Sequence, residues 1–302
     1  MLEFLEITSA LGSKKETNSD ISDMVNWSAE EIYEKTGIKF RYISDSKQTA
    51  ETLALEAAYK IQKKHLEEID LVVSVSNTQE NDFPPVANFV HSYLDLNKNA
   101  HCYGLNHGCS GYVDALKLVY SFFSSGFSRK AIIITSDTYS KFIHKDDRSI
   151  RTLFSDGATC TVIEKNTVSG WNISDSISNS QHKSQEYLNR NNGIISMNGP
   201  QVLLFSINTV MKNLIKILPN EPCLLFPHQA GKIVLGKLNS KLPKNISVFE
   251  NYELFGNLVS SSIPNLLKEH LPLKSTKPII LSGFGVGLSH SSIILKKINN
   301  NK

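Results

Sequence analysis

The feature that most constrains the fold is the alternation of short apolar runs with longer segments that repeat apolar residues at helical spacing. Residues 70–75, 131–135 and 223–226 are runs of the short type and predict buried strands. Residues 49–64 and about 202–217 carry apolar residues at helical spacing and predict helices. Strands that alternate with helices in this way predict a layered α/β architecture.

The strand–helix rhythm occurs twice along the chain, and a polar segment separates the two occurrences. Residues 166–192 are rich in Ser and Asn and mark the expected junction between an N-terminal half, 1–165, and a C-terminal half, 166–302. The rhythm is loose, and no residue-level repeat accompanies it.

Composition and charge argue against several classes of protein. The chain has 302 residues, 40% of them hydrophobic, which is enough for one large core or two fused ones. The net charge of +3 comes from scattered lysines, so nucleic acid is not an expected partner. The N-terminus lacks a signal peptide's apolar run, and no stretch approaches the roughly 20 apolar residues of a membrane helix. With four cysteines and no Cys-x-x-Cys pair, we expect a soluble, cytoplasmic protein in a reducing compartment.

Cys109 is the first candidate for chemistry. It lies where a predicted strand turns into an apolar helix, between Gly108 and Gly111, and such small neighbours let a reactant approach the backbone. A helix N-terminus also favours thiolate over thiol, as a nucleophile requires. The alternative is that Cys109 is a small buried hydrophobic residue, as free cysteines usually are.

His228 and Asn257 are the other polar candidates. His228 follows the strand at 223–226, where an imidazole could donate to an oxyanion or pair with a thiolate, although a lone histidine at a strand end is more often structural. Asn257 precedes a predicted helix, and a helix N-cap is the simpler explanation for it. Its functional interpretation is a neutral amide that stabilises an enolate.

The glycine-rich segment at 283–287 does not predict a nucleotide site. It lacks the Gly-Lys-Ser/Thr ending of a P-loop, and a strand rather than a helix follows it. A tight loop that offers a backbone N–H to an oxyanion fits it better. A metal site is not expected either, because His101, Cys102, His107 and Cys109 are poorly spaced and have no second pair.

Taken together, several segments resemble the ketoacyl-acyl-carrier-protein synthase III family of the thiolase superfamily. They follow the family's order, with similar spacing, over roughly residues 30–290. The segments are Thr-Gly-Ile at 36–38 with Arg41, Phe-Pro at 83–84, Gly-Cys-Ser-Gly-Tyr at 108–112, Phe-Ser-Asp-Gly-Ala at 154–158, Pro-His-Gln-Ala at 227–230, Gly-Asn at 256–257 with Ile-Pro at 263–264, and Gly-Phe-Gly-Val-Gly at 283–287.

The resemblance implies a thiolase-like fold, which is a five-layer α-β-α-β-α sandwich of two related halves, usually as a homodimer. The half at 1–165 would carry the nucleophilic cysteine, and the half at 166–302 would carry the histidine and asparagine. Phe83 would reach across the dimer into the partner's acyl pocket.

The resemblance also implies roles for the candidate residues. Cys109 would take the acyl group from a coenzyme A or acyl-carrier-protein thioester, with its own N–H and that of Ser282 as an oxyanion hole. His228 and Asn257 would bind the carbonyl of a malonyl thioester and stabilise the enolate left by decarboxylation. That carbanion would attack the acyl-cysteine and release a 3-oxoacyl product, with no metal or redox cofactor.

The chain departs from the family pattern at the expected tunnel mouth. Glu31 stands where well-known members have the Trp that stacks on the coenzyme A adenine, and Trp27 is displaced by about one helical turn. Arg148 matches one mouth arginine, and Lys35 replaces another. Lys232 belongs to a basic helix, with Lys237 and Lys241, that could meet an acidic carrier protein or simply be a solvated face.

Three functions are therefore open. The preferred one is decarboxylating condensation, because a neutral amide beside a histidine suits an enolate. The altered mouth favours an alternative, in which acyl-Cys109 passes its acyl group to a hydroxyl or amine of a sugar, polyketide or antibiotic, with His228 as general base. A non-catalytic partner subunit is the third, although it would have no need for Cys109, His228 and Asn257 together.

Overall fold

The computed structural model describes residues 1–299, in which strands and helices alternate as the sequence predicts. The strands are β1 (Leu2–Leu11), β2 (Lys14–Thr17), β3 (Phe40–Ile43), β4 (Leu71–Val75), β5 (His101–Leu105), β6 (Lys130–Asp137), β7 (Gly157–Lys165), β8 (Ser169–Ser180), β9 (Leu188–Asn191), β10 (Ile194–Met197), β11 (Cys223–Pro227), β12 (Ile246–Val248), β13 (Ile279–Gly285) and β14 (Ser289–Asn299). The α-helices are α1 (Ser22–Val25), α2 (Ala29–Thr36), α3 (Ala50–Tyr59), α4 (Val86–Tyr93), α5 (Gly111–Ser125), α6 (Arg148–Arg151), α7 (Gly199–Phe205), α8 (Met211–Ile217), α9 (Lys232–Asn239), α10 (Tyr252–Phe255) and α11 (Ser262–Lys268). A π-helical stretch joins α7 to α8, and 3-10 turns lie at Lys63–His65, Tyr139–Phe142 and Val259–Ser261.

The central sheet consists of two five-stranded groups with the same topology. Its strand order is β12-β11-β13-β14-β8-β1-β7-β6-β4-β5, and a single pair, Leu2 with Trp171, joins β1 to β8. From that junction outward, each group has two antiparallel pairs followed by two parallel pairs. The prediction of two related halves is confirmed by this repetition. The exact division after residue 165 stays a prediction, and it falls between the end of β7 and the start of β8.

The five layers follow from the alternation of side chains along the strands. Leu71 and Val73 of β4 face a central core that contains α5 and α11, whereas Val72 faces α3 and α4 on the other side. In the C-terminal half, Ile279 of β13 joins the central core and Ile280 faces α8 and α9. The layer order is therefore helix, sheet, helix, sheet, helix. Each aliphatic side chain buried in these layers contributes about 1.5–3 kcal/mol to stability.

The polar segment at 166–192 is not the simple junction that its composition predicts. Most of its first half forms β8, a long strand that pairs with β14 from Ser169 to Ser180. Because β8 meets β1 at only one residue pair, its other edge is largely unpaired, and many of its side chains are exposed. A strand in that position tolerates Ser and Asn, which made it resemble a linker.

The parallel strands bring the candidate loops to common edges of the sheet. β4, β5 and β6 are mutually parallel, so the loop that carries Cys109 leaves the same edge as Asp137, the last residue of β6. β11 and β13 are parallel in the other half, and His228 follows directly after β11. The carboxyl ends of parallel strands are where α/β folds usually hold their sites.

Candidate active site

Cys109 lies between the end of β5 and the start of α5, as the sequence predicts, but its thiol is buried. Only 3% of the residue is exposed, and it packs in one apolar cluster with Phe154, Val259 and Phe284. Burial raises the pKa of the Cys109 thiol, and the nearby Asp137 carboxylate raises it further, against a smaller opposing effect of the Cys109 N–H. Burial in this cluster therefore opposes the thiolate that a helix N-terminus was expected to favour.

The backbone of β13 passes directly beside this thiol. A Cβ atom added at Gly285 would lie 2.9 Å from Cys109 Sγ and 3.0 Å from Cys109 Cβ. Glycine is therefore required there, since only a residue without a side chain lets the strand approach the sulfur. The predicted glycine loop is in part a strand: Gly283 pairs with Ser291 and Gly285 with Ser289 on β14, and the turn itself covers residues 286–288.

Ser282 does not occupy the position that the resemblance implied for an oxyanion donor. It lies inside β13, paired with Pro227 on β11 and Ser292 on β14, and its C=O accepts the His228 N–H at 2.8 Å. A backbone N–H in a strand that is paired on both sides donates its hydrogen bond to a neighbouring strand. The Ser282 side chain likewise belongs to a buried hydrogen-bonded group with Ser292 and His290. The pairing of β13 with β11 ends at Ser282, whereas its pairing with β14 continues to Gly285.

His228 is a buried, neutral imidazole at the end of β11. Its residue is 2% exposed, and the edge of its ring meets the face of Phe284, with ring centroids 5.5 Å apart at 89°. Burial lowers the pKa of His228 to about 3, so the ring carries no charge near neutral pH. Its Nδ1 has no hydrogen-bond partner among residues 1–299.

Asn257 has both a structural and a free side-chain group. Its backbone N–H donates to the Leu153 C=O and its C=O accepts from Ser155 N–H, each at 2.9 Å, which pairs it with the segment around Phe154. Its Oδ1 accepts the Val259 N–H at 2.9 Å, at the first residue of the following 3-10 turn. The expected N-cap position is held by Leu258 rather than by Asn257, and the bond leaves the Asn257 side-chain NH2 group as a donor.

These contacts bring the three candidates around one apolar cluster. The His228 ring contacts Phe284, and Phe154 pairs along the backbone with Asn257. Both rings pack in the cluster that contains Cys109. A sulfur, a neutral imidazole and an amide donor in one buried region are suited to hold a thioester carbonyl and to stabilise negative charge on its oxygen.

Comparison with known proteins places the chain in a family. A model described as 3-oxoacyl-(acyl-carrier-protein) synthase III matches residues 103–181, and its C-terminal counterpart matches residues 216–297. A beta-ketoacyl-(acyl-carrier-protein) synthase III of Acholeplasma laidlawii is 31% identical over 297 residues, which is 92% of this chain and 93% of that protein. The chain belongs to the synthase III family.

Solved structures of synthase III proteins confirm the predicted fold. The 3-oxoacyl-(acyl-carrier-protein) synthase III of Aquifex aeolicus superposes with a TM-score of 0.89 at 26% identity, covering 98% of this chain and 100% of the other. The Pseudomonas aeruginosa synthase III gives a TM-score of 0.87 at 26% identity, with 98% of each chain covered. The resemblance inferred from the sequence motifs is thus confirmed at the level of family and fold.

In this synthase III family member, the predicted mouth residues lie together around Trp27. The Lys35 ammonium lies 5.1 Å from the centre of the Trp27 ring and the Arg148 guanidinium 5.2 Å from it. Lys232, at the start of α9, packs with its Cβ against Gly37, at the end of the helix that carries Lys35. Glu31 has a structural role, because its carboxylate accepts the Ser28 N–H in the capping box of α2.

Phe83 lies apart from these groups, on the loop before α4. It is 82% exposed, and its neighbour Asp82 lines an open cavity beside the Cys109 loop. Within one chain, Phe83 has no place in the cluster around Cys109.

Sequence reasoning missed Asp137, which joins the loops of the synthase III site. Its buried carboxylate accepts hydrogen bonds from the Asn77 N–H at 2.8 Å, from the Thr78 hydroxyl and from the Ser260 hydroxyl. Burial raises the pKa of Asp137 to about 7, against the lowering effect of these donors. The signal was available: Asp137 is the one acidic residue at the end of the apolar strand after Cys109, and parallel strand ends share an edge.

Among residues 1–299, no group of three or more His, Cys, Asp and Glu side chains is arranged to hold a metal ion. Over the same span, every helix is too short or too polar to cross a bilayer.

Gly283 provides a test of the close packing between β13 and the nucleophile loop. A Cβ atom at Gly283 would lie 2.5 Å from the Cys109 carbonyl oxygen and 2.7 Å from Ser110 Cα, and neither backbone atom has room to move. We expect Gly283→Ala to lower the free energy of unfolding by about 2–3 kcal/mol. Gly236→Ala is the control: nothing lies within 4 Å of its added Cβ, and alanine in helix α9 should raise stability by about 0.5–1 kcal/mol. Urea unfolding measures both, and equal stability of the two variants would contradict the close approach.

Proposed function

We propose that this protein condenses an acyl thioester with a malonyl thioester, with loss of CO2, through an acyl group carried on Cys109. Its synthase III relatives are named for forming 3-oxoacyl or beta-ketoacyl acyl-carrier-protein products. The observation that carries the proposal is the placement of a thiol, a neutral imidazole and an amide donor around one buried cluster. It is therefore a transferase of the acyl-condensing type.

The first step loads Cys109. The sulfur attacks the carbonyl carbon of the acyl thioester, and the resulting oxyanion is stabilised by the N–H groups of Cys109 and Val286. Val286 replaces Ser282 in this proposal, because it directly follows Gly285, where an added Cβ would lie 2.9 Å from the Cys109 sulfur. Collapse of the intermediate breaks the bond to the carrier sulfur. The carrier leaves as a thiol with the proton that Cys109 gives up, and an acyl-cysteine remains.

The second step forms the carbon–carbon bond. The carbonyl oxygen of a malonyl thioester accepts hydrogen bonds from His228 and from the Asn257 NH2 group. Its carboxylate leaves as CO2, and the electron pair becomes an enolate that those donors stabilise. The α-carbon then attacks the acyl-cysteine carbonyl, the sulfur leaves and is reprotonated, and a 3-oxoacyl thioester is released.

The lowered pKa of His228 favours condensation over acyl transfer to a hydroxyl or amine. Such a transfer needs a general base, and a base works best when its pKa lies near the working pH. With its pKa lowered to about 3, His228 is a very weak base but remains a hydrogen-bond donor. A non-catalytic subunit would require none of this arrangement.

Substrate delivery is assigned to the cationic mouth. Lys35 and Arg148, which flank Trp27, and the adjacent Lys232 are placed to contact the phosphates of coenzyme A or of a phosphopantetheine arm. An acidic acyl carrier protein would meet the same surface. The proposed steps use side chains and backbone donors, and none calls for a metal ion or redox cofactor. All four cysteines are free thiols, which fits a cytoplasmic location.

A homodimer is proposed through strand β5. This strand is the edge of the sheet, and its Tyr103 is 40% exposed and packs edge-on against Phe122. Unpaired edges with exposed aromatic side chains are normally covered by a partner. Pairing of β5 with β5 of a second copy would cover this edge, and the exposed Phe83 would then cap the partner's cavity. Sedimentation at micromolar concentration should show two chains, and a monomer would refute the pairing.

Product analysis tests the proposed function. The protein would be given acetyl-, butyryl- or succinyl-coenzyme A together with either malonyl-carrier protein or a mixture of alcohols and amines, and products would be identified by mass spectrometry. We expect a 3-oxoacyl-carrier protein from the first mixture only. Esters or amides from the second mixture, without condensation in the first, would contradict the proposed condensation and would support acyl transfer to a hydroxyl or amine.

A further inference from the structure

The open cavity beside the Cys109 loop has unusually polar walls for a site that would receive an alkyl chain. Its volume is about 740 Å³, and its lining includes Asn77, Asn106, Tyr139, Asn189 and Arg190. Pockets that bind hydrocarbon chains are lined mainly by apolar side chains, because each polar group that loses water without a new partner costs free energy.

The cavity adjoins the nucleophile. A Cβ atom added at Gly108 would lie 2.8 Å from Asn77 Oδ1 and 2.8 Å from Val286 Cγ2, and both of these residues line the cavity. Tyr139 lines it as well and packs in the same apolar cluster as Cys109. Cys109 itself is not part of the lining, so an acyl group on the sulfur would reach the cavity past Tyr139 and Val286.

The polar walls form a connected set around Asn77. The Tyr139 hydroxyl donates to Asn77 Oδ1 at 3.4 Å, and Asn77 Nδ2 donates to Asn106 Oδ1 at 2.5 Å. Arg190, on the β9–β10 hairpin, donates to the Asn77 C=O at 3.3 Å. Asn77 thus connects Tyr139, which packs in the same cluster as Cys109, to the guanidinium of Arg190.

Arg190 is held in place but lacks an anionic partner. Its guanidinium lies over the Phe142 ring at 4.0 Å, which together with the bond to Asn77 limits its freedom. It is the only cationic side chain of the lining, and within residues 1–299 it forms no ion pair, Asp82 of the same lining included. A planar guanidinium with free donors is the group best matched to a carboxylate.

We propose that the acyl group accepted by Cys109 is a short chain that ends in a carboxylate, bound at its far end by Arg190. This inference rests on the proposed function and names its substrate class. The thioester end is held at Cys109, and the charged end bonds to the exposed Arg190 guanidinium beside the half-buried Asn77. A plain alkyl chain of the same length offers Arg190 no acceptor and displaces water from it.

Matched donor pairs test the inference. Initial rates of Cys109 acylation would be followed by intact mass with succinyl- and butyryl-coenzyme A, and with glutaryl- and valeryl-coenzyme A. Each pair has the same number of carbons and differs in whether the end is a carboxylate or a methyl group. We expect the wild-type protein to prefer the carboxylate member by about tenfold or more, the size of a charge-assisted hydrogen bond.

Arg190→Gln is expected to reduce that preference by about tenfold. Arg129→Gln is the control, because this exposed arginine precedes β6 at the end opposite Asp137 and should leave the preference unchanged. Faster loading of butyryl than succinyl by the wild type, or an unchanged preference in Arg190→Gln, would overturn the inference alone. If no thioester acylates the folded protein, the proposed function fails, and the inference with it.

Discussion

Replacing Cys109 with alanine is expected to lower the rate of enzyme acylation by roughly 10⁴-fold or more, to the level of background modification. The sulfur is the atom that forms the new bond. Cys102 and Cys160 belong to a different cluster, and Cys223 shares the extended cluster with Phe154 and Phe284 but lies at the start of β11, the end of that strand opposite His228. The measurement is intact-mass analysis after incubation with a thioester, followed by mapping of the modified peptide.

The control for this experiment is Cys102→Ala. Cys102 lies on strand β5 close in sequence to Cys109 but is only partly buried, and it packs at the margin of a different cluster. The Cys102→Ala variant should be acylated at the wild-type rate. Equal loading of the two variants would show that the acyl group is carried elsewhere.

The second large effect is expected from His228→Ala, in the condensation step rather than in loading. Loss of one donor to the enolate oxygen should slow malonyl decarboxylation by about 10²–10⁴-fold. Loading should change much less, because the proposed oxyanion donors of that step are the Cys109 and Val286 N–H groups. Rates of CO2 release and of acylation, measured on one preparation, separate the two steps.

Because His228 is buried, its variant needs a folding check. Thermal unfolding and the retained acylation rate both report on the integrity of the fold. His65→Ala, in the 3-10 turn beside α3, is the matched histidine control and should leave both rates unchanged. A large fall in acylation together with normal CO2 release would assign His228 to loading and contradict the proposed division of labour.

The fold was predictable because its signals are local and repeated. The apolar runs at 70–75, 131–135 and 223–226 correspond to β4, β6 and β11, and helical spacing marked α3 and the α7–α8 segment. Cys109, His228 and Asn257 were found because each follows a strand or precedes a helix, positions where loops carry chemistry. Their roles in the reaction stay predictions until the variants are measured.

The incorrect or missed predictions share one physical cause, which is contact between segments that are distant in the sequence. Ser282 was misassigned because a glycine-rich stretch suggests a loop, whereas pairing with β11 and β14 makes Gly283 and Gly285 part of a strand. The Cys109 thiol was expected to be ionised because the helix end is visible in the sequence, while its burial among Phe154, Val259 and Phe284 is not. Asp137 was passed over since its partners, Asn77, Thr78 and Ser260, come from remote loops.

The most direct test of the central claim is a crystal structure with a malonyl thioester analogue that cannot lose CO2. We expect its thioester carbonyl oxygen to accept hydrogen bonds from both the His228 imidazole and the Asn257 NH2 group, at about 2.7–3.2 Å. The analogue's α-carbon should face the sulfur of Cys109. A carbonyl oxygen that contacts neither donor, or an analogue bound away from the sulfur, would contradict the account.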